Sequence, residues 1–281
     1  MSRFRSIVGR AMLATALLLG CQTASSAQTT PRQPLRIYAA GSLASSFSDL
    51  LTAFGTPPAT AVQATYGPAG ALRERLEHGE TAELFASADM AQPRRLAQGG
   101  HKGSVVMFAR NRMCAIGRSS LGLTPANLLS RLLDPAVKLA TSTPGADPSG
   151  DYAWAIFKRA DGVHPGATAM LEDKAQQLLG HPGARALVPG HSAAEGVFLS
   201  GRADVLIGYC SGASVLRNAV PDLVAVQFPQ PLDVSAPYGL IVLSGNPIAM
   251  RFALFILSDA GQTILAQHGL IPVTLSGTHS P

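Results

Sequence analysis

The sequence predicts an α/β protein of two lobes with a ligand cleft between them, joined by two crossing strands. Three observations point there. Strand, turn, helix and strand follow one another at short spacing from Leu35 to Asp89, as in a parallel layer covered by helices. One extended stretch, "GSVVMFARNRMCAIGR" (Gly103 to Arg118), is long enough to leave one lobe and enter the next. A late apolar run, "YGLIVLSG" (Tyr238 to Gly245), is placed to bring the chain back. The expected division is 34–110 plus 237–281 for the first lobe and 111–236 for the second.

The elements follow in order. Residues 1–27 read as an export signal, with Arg3, Arg5 and Arg10 ahead of an apolar run from Ala11 to Gly20 that is too short to span a bilayer. Two processing sites compete. Leu18-Leu19-Gly20-Cys21 resembles a lipobox that would lipidate Cys21, and Ser25-Ser26-Ala27 suits ordinary cleavage before Gln28. Either route leads to the periplasm, as a soluble or a lipid-anchored protein. "LRIYAAGS" (Leu35 to Ser42) is a buried strand and tight turn, with Ser42 where a helix cap belongs. Leu43, Phe47, Leu50, Leu51 and Phe54 then recur at helical spacing. "AVQATY" is a second strand, followed by a Gly-Pro-Ala-Gly junction and a short helix for which Gly79 supplies the C-terminus. "AELFASAD" (Ala82 to Asp89) is a third strand. In the middle of the chain, "KLATST", "ADVLIGYCSGA" and "LVAVQFP" read as strands, and "DPSGDYAWAIFKRADG" and "AEGVFLSGR" as helices. Ile248 to Leu270 reads as two helical pieces broken near Asp259 to Gly261.

Composition narrows the function. Hydrophobic residues make up 47% of 281, a globular chain with no repeat. Its 22 basic and 17 acidic residues give +5, but three of the arginines lie in the export signal. What remains is nearly balanced and scattered, with few aromatics, unlike a nucleic-acid surface. Cys114 and Cys210 remain after export, either as a disulfide suited to an oxidising compartment or as two buried thiols.

Three loops share a chemistry. "AAGSLA", "YGPAGAL" and "DPSGDYA" are small, glycine-bearing and free of Lys and Arg, and each opens a helix. Helix N-termini carry unpaired N–H groups and partial positive charge, which suits an anion without Lys or Arg. Gly41, Gly67, Gly70 and Gly150 permit close approach, and Ser42 and Ser149 add hydroxyls. Tyr209 ends a strand, where its phenol can reach a cleft or simply complete the core. "GHSAAEG" (Gly190 to Gly196) is similar to a nucleophile elbow, but its fifth position is Ala194, so Ser192 reads as a helix cap before it reads as a nucleophile.

"IYAAGSLASSFSDLLTAF", "YGPAGALRERLEHGETAELFASAD", "DPSGDYAWAIF", "GRADVLIGYCSGA" and "AGQTILAQHGL" resemble, in order, the periplasmic molybdate-binding proteins of ABC importers, over about residues 35 to 272. The resemblance implies a type II periplasmic-binding fold that holds molybdate or tungstate through its oxygens, by neutral donors and without direct metal ligands. The implied contacts fall on Ser42, Ala69, Gly70, Ser149, His191 and Tyr209. The family's second-loop serine is Ala69 here, a lost hydroxyl for which Ser149 is the candidate replacement. The implied protein is a monomeric carrier with no cofactor and no bond chemistry, delivering its anion to a membrane permease. The alternatives are the same fold with another oxyanion or a small organic acid, and a hydrolase using Ser192.

Overall fold

A computed structural model describes residues 34–55, 60–181 and 186–273, so the expected export signal and Cys21 lie outside the described residues. Apolar runs without alternation become the inner strands. β1 (Leu35–Ala40) and β3 (Leu84–Ser87) are buried along nearly their whole length, as parallel strands covered on both faces must be. The more polar β2 (Val62–Gly67) is the edge strand beside β1. β9 (Ser235–Val242) runs antiparallel to β3, and β4 (Val105–Arg118) antiparallel to β9. β4 keeps β9 as its partner as far as Arg112. From Met113 it pairs with β7 (Val205–Tyr209), and from Cys114 also with β8 (Leu223–Gln227). β5 (Leu139–Ser142) lies parallel to β7, and β6 (Gln176–Leu179) parallel to β5. The stretch expected to cross between lobes is therefore one strand that changes partners midway.

Helices cover this sheet with their apolar stripes. α1 (Ala44–Phe54) buries Phe47 and Leu50 and stops at Gly55, whose φ of 61° only glycine adopts without strain. Phe47 meets Phe108 and Phe252 edge to face, at 6.1 and 6.0 Å between ring centres, and all three are fully buried. α9 (Pro247–Leu257) and α10 (Asp259–Gln267) bend by 66° at Ser258, whose hydroxyl accepts the Gly261 N–H. The expected break near Asp259 thus arises from a cap. Among the described residues no single helix is long and apolar enough to cross a membrane.

On the far side of β4, α5 (Pro148–Ala160) starts with Asp147 as cap and Pro148 in its first turn, and it buries Ile156 and Phe157. α7 (Ala193–Leu199) opens with a full capping box between Ser192 and Glu195. The sequence reading leaves unassigned β6, α3 (Ala91–Gln98), α4 (Leu128–Leu133), α6 (Ala167–Lys174) and α8 (Ala213–Ala219). Each is four to eight residues long, too short for periodicity to declare itself. Cys114 on β4 and Cys210, directly after β7, form a disulfide with Cα atoms 5.0 Å apart.

Candidate functional site

The parallel strands deliver their C-terminal ends to neighbouring loops. β1 leads into Gly41 to Leu43, a 3-10 turn, and β2 leads through Pro68 into α2 (Ala69–Glu77). β3 leads to Ala88 and Asp89, β5 to the turn before Asp147, and β7 to Cys210, Ser211 and Gly212. Loops of this kind are where α/β folds bind ligands. Here they touch across the molecule. The Gly70 N–H donates to the Ala146 carbonyl at 3.0 Å, and a Cβ on Gly70 would stand 2.5 Å from the Gly145 carbonyl oxygen. The Tyr209 phenol reaches the Ala88 carbonyl at 3.5 Å. Only glycine permits the first of these contacts.

Ser42 is not the helix cap its position suggests. α1 has Leu43 as N-cap with no side-chain cap bond, and the Ser42 hydroxyl instead meets the Tyr238 phenol at 3.2 Å. Tyr238 is wholly buried, and its oxygen also accepts from the Asn111 amide at 3.1 Å. The same amide nitrogen donates to the Ser211 hydroxyl at 2.7 Å. One chain of neutral groups thus links Ser42, Tyr238, Asn111 and Ser211, with Asn111 in the middle of β4. Tyr209 stacks edge-on against Tyr238 at 5.4 Å and against Tyr152 at 6.4 Å. Burial raises the pKa of all three phenols above the ordinary tyrosine value, so they stand as O–H groups at any physiological pH.

The other expected positions behave differently. Ala69 is fully buried as the first residue of α2. Gly70 spends its N–H on Ala146. Ser149 is buried in the first turn of α5, but its N–H donates to the Asp147 carboxylate at 3.1 Å, so this helix start already carries an acceptor. His191 is exposed beside α7, with its Nδ1 3.3 Å from Glu195, and the hydrogen-bonded chain does not include it. Ser192 accepts the Glu195 N–H at 3.2 Å and caps α7, the role its position predicts.

Two carboxyls border the cluster. Asp89 accepts from Ser87 and from the Gln92 N–H at the start of α3, and Asp147 packs against Gly180. Desolvation raises the pKa of both. Among the described residues no three His, Cys, Asp or Glu side chains are grouped to hold a metal ion.

Sequence reasoning missed Tyr238, Asn111 and Ser211. Asn111 leaves one trace. Along β4, Arg110 and Arg112 are exposed while Asn111 and Met113 are buried, so strand alternation puts an uncharged amide on the inner face. A buried amide in a strand needs partners, and these are its partners.

Comparison with known proteins agrees with this fold. A family model described as bacterial extracellular solute-binding protein matches residues 35–271. An uncharacterized protein of Pasteurella multocida is 35% identical over 240 residues, covering 85% of this chain and 98% of that one. A molybdate-binding protein of Mycobacterium bovis is 26% identical over 273 residues, covering 94% and 95%. The sulfate-binding protein of Mycobacterium tuberculosis superposes with a TM-score of 0.70 at 20% identity, covering 86% and 88%, a likeness of fold. Mixed α/β architecture of the type II solute-binding kind and a family match over most of its length agree: the chain belongs to the bacterial extracellular solute-binding proteins.

Proposed function

We propose that this solute-binding protein captures a tetrahedral oxyanion, molybdate or tungstate, in the periplasm and hands it to an ABC permease. The observation that carries the reading is the run of neutral donors, Ser42, Tyr238, Asn111 and Ser211, with the Tyr209 phenol beside it, at the meeting point of the strand-end loops. A fully ionised anion needs donors and is repelled by buried acceptors, so hydroxyls and amides select it. The molybdate-binding relative supports the choice of anion. The contacts proposed are Ser42 and Tyr209 first, with Ala69, Gly70, Ser149 and His191 as the remaining positions of the resembled site, reached on a rearrangement that frees Gly70. The protein performs no bond chemistry in this reading, and its two lobes close over the ligand as a monomer.

A second reading, another oxyanion or a small phosphorylated or carboxylated acid, is favoured by one observation. α2 offers no hydroxyl at Ala69, and its Gly70 N–H is engaged. Titration calorimetry of ligand-stripped protein with molybdate, tungstate, sulfate, phosphate and a phosphorylated three-carbon acid separates the two. Molybdate and tungstate are expected to bind at least tenfold tighter than sulfate. Heat only from the organic acid would replace the first reading by the second.

A further inference from the structure

The hydrogen bonds around Asn111 have a fixed direction. The Arg112 backbone N–H, which can only donate, lies 2.8 Å from the Asn111 Oδ1. That contact identifies the amide oxygen and leaves Nδ2 as the donor to both hydroxyls, Tyr238 at 3.1 Å and Ser211 at 2.7 Å. Each hydroxyl has one hydrogen and has just been used as an acceptor. Tyr238, completely buried, has the Ser42 hydroxyl within reach at 3.2 Å, and Ser42 is exposed beyond it. The contact between these two hydroxyls can run in either direction. When the phenol donates its one hydrogen to Ser42, Ser42 is free to turn its own hydrogen outward. Ser211, half-buried, is left with a free hydrogen in the same way.

We infer that Asn111 is a positioning residue that sets the polarity of the binding site, through Tyr238 at Ser42 and directly at Ser211, so that both serines present hydrogens to an anion that carries none. The inference rests on the oxyanion reading above and deepens it, because Asn111 excludes ligands that must donate at these two points. An amide does this where a carboxylate of the same shape would not. An aspartate at position 111 would accept from Tyr238 and Ser211, drawing their hydrogens inward and leaving lone pairs toward the ligand.

Other titratable groups surround the position. On β9 and β7 these are Tyr238 and Tyr209, and the carboxyls of Asp89 and Asp147 act on the same phenols from across the cluster. His268, next to the Gly269 that packs on Ser211, is paired with Asp49. Arg112 points away to Gln227, and Arg110 is exposed. Wild type and variant share all of these, so a difference in their pH profiles reports position 111.

The test is the affinity for molybdate and for tungstate, by calorimetry between pH 5 and pH 8, of wild type and Asn111→Asp, with folding checked by thermal melting. The expected result is a loss of about 10- to 100-fold at pH 8, the scale of one hydrogen bond to a charged group. Affinity then recovers as the pH falls and the aspartic acid regains a proton to donate, while wild type changes little. Unchanged affinity in the variant, or a loss that stays flat with pH, overturns the inference and leaves the oxyanion reading standing. If wild type binds neither anion, that reading falls and the inference with it. Should Asn111→Asp fail to fold, Tyr238→Phe cuts the relay ahead of Ser42. Binding must then weaken about tenfold, and Ser42→Ala must cost less in that background than in wild type. Additive losses overturn the relay.

Discussion

Gly70 shows how much one missing methyl group permits. Its backbone lies so close to Gly145 and Ala146 that any Cβ would overlap their carbonyl oxygens, at 2.5 and 2.7 Å. Both neighbours are backbone atoms and cannot swing aside as a side chain would. Gly70→Ala is therefore expected to separate these two loops and to weaken ligand binding about tenfold, with thermal stability falling by about 1–3 kcal/mol. Calorimetry and a denaturant melt measure the two effects, and an unchanged affinity would show that the ligand does not approach the Gly70 backbone in the bound state. The glycine was legible in the sequence as a residue of close approach. What it approaches was not, because Ala146 is a long way along the chain and nothing in "TPGAD" marks a carbonyl as an acceptor. Ser42 teaches the same lesson in reverse. Its place before a helix suggests a cap, and tertiary contact with Tyr238 overrides that local preference.

Helix starts were the most readable elements, and also the most easily over-read. α5 begins in "DPSGDYA" and α7 behind Ser192, as the sequence predicts. Yet a start that is already capped is a poorer place for an anion. Asp147 occupies the Ser149 N–H, so that donor is already spent. Ser192 occupies the Glu195 N–H while the Glu195 side chain returns to the Ser192 N–H. Ser192→Ala is expected to destabilise the protein by about 1 kcal/mol through loss of the cap, and to leave ligand affinity within twofold of wild type. A melt and a titration check both. Loss of an esterase activity in the same variant would instead favour a nucleophile. The short elements that the sequence did not declare, α3, α4 and β6 among them, are held by packing against neighbours, so their own residues carry little signal.

At the scale of the whole molecule, the parallel layers were legible because buried strands leave long apolar runs, as in β1 and β7. The pairing of Cys114 with Cys210 stood open in the sequence, since 96 residues separate them and spacing says nothing of proximity. The disulfide ties the far half of β4 to the residue after Tyr209. Replacing both cysteines by alanine is expected to lower stability by about 2–4 kcal/mol, read from a denaturant midpoint with and without reductant. A reductant that leaves the wild-type midpoint in place would show that the bond adds nothing.

The change of partners in β4 has a mechanical meaning. No flexible linker carries β4 from its pairing with β9 to its pairing with β7. The passage is made inside one strand, between Arg112 and Met113, with Asn111 on the near side and Cys114 on the far side. Any rotation of one part of the sheet against the other has to be absorbed by the backbone torsions of those few residues and of the return segment between β8 and β9. The amide that orients the hydroxyls sits within that pivot. Opening the protein would tilt the Asn111 side chain away from Tyr238 or from Ser211, and the donors would lose their alignment as the cleft widens. Release of the cargo would then need no separate trigger, because the same bend that makes the exit also loosens the grip.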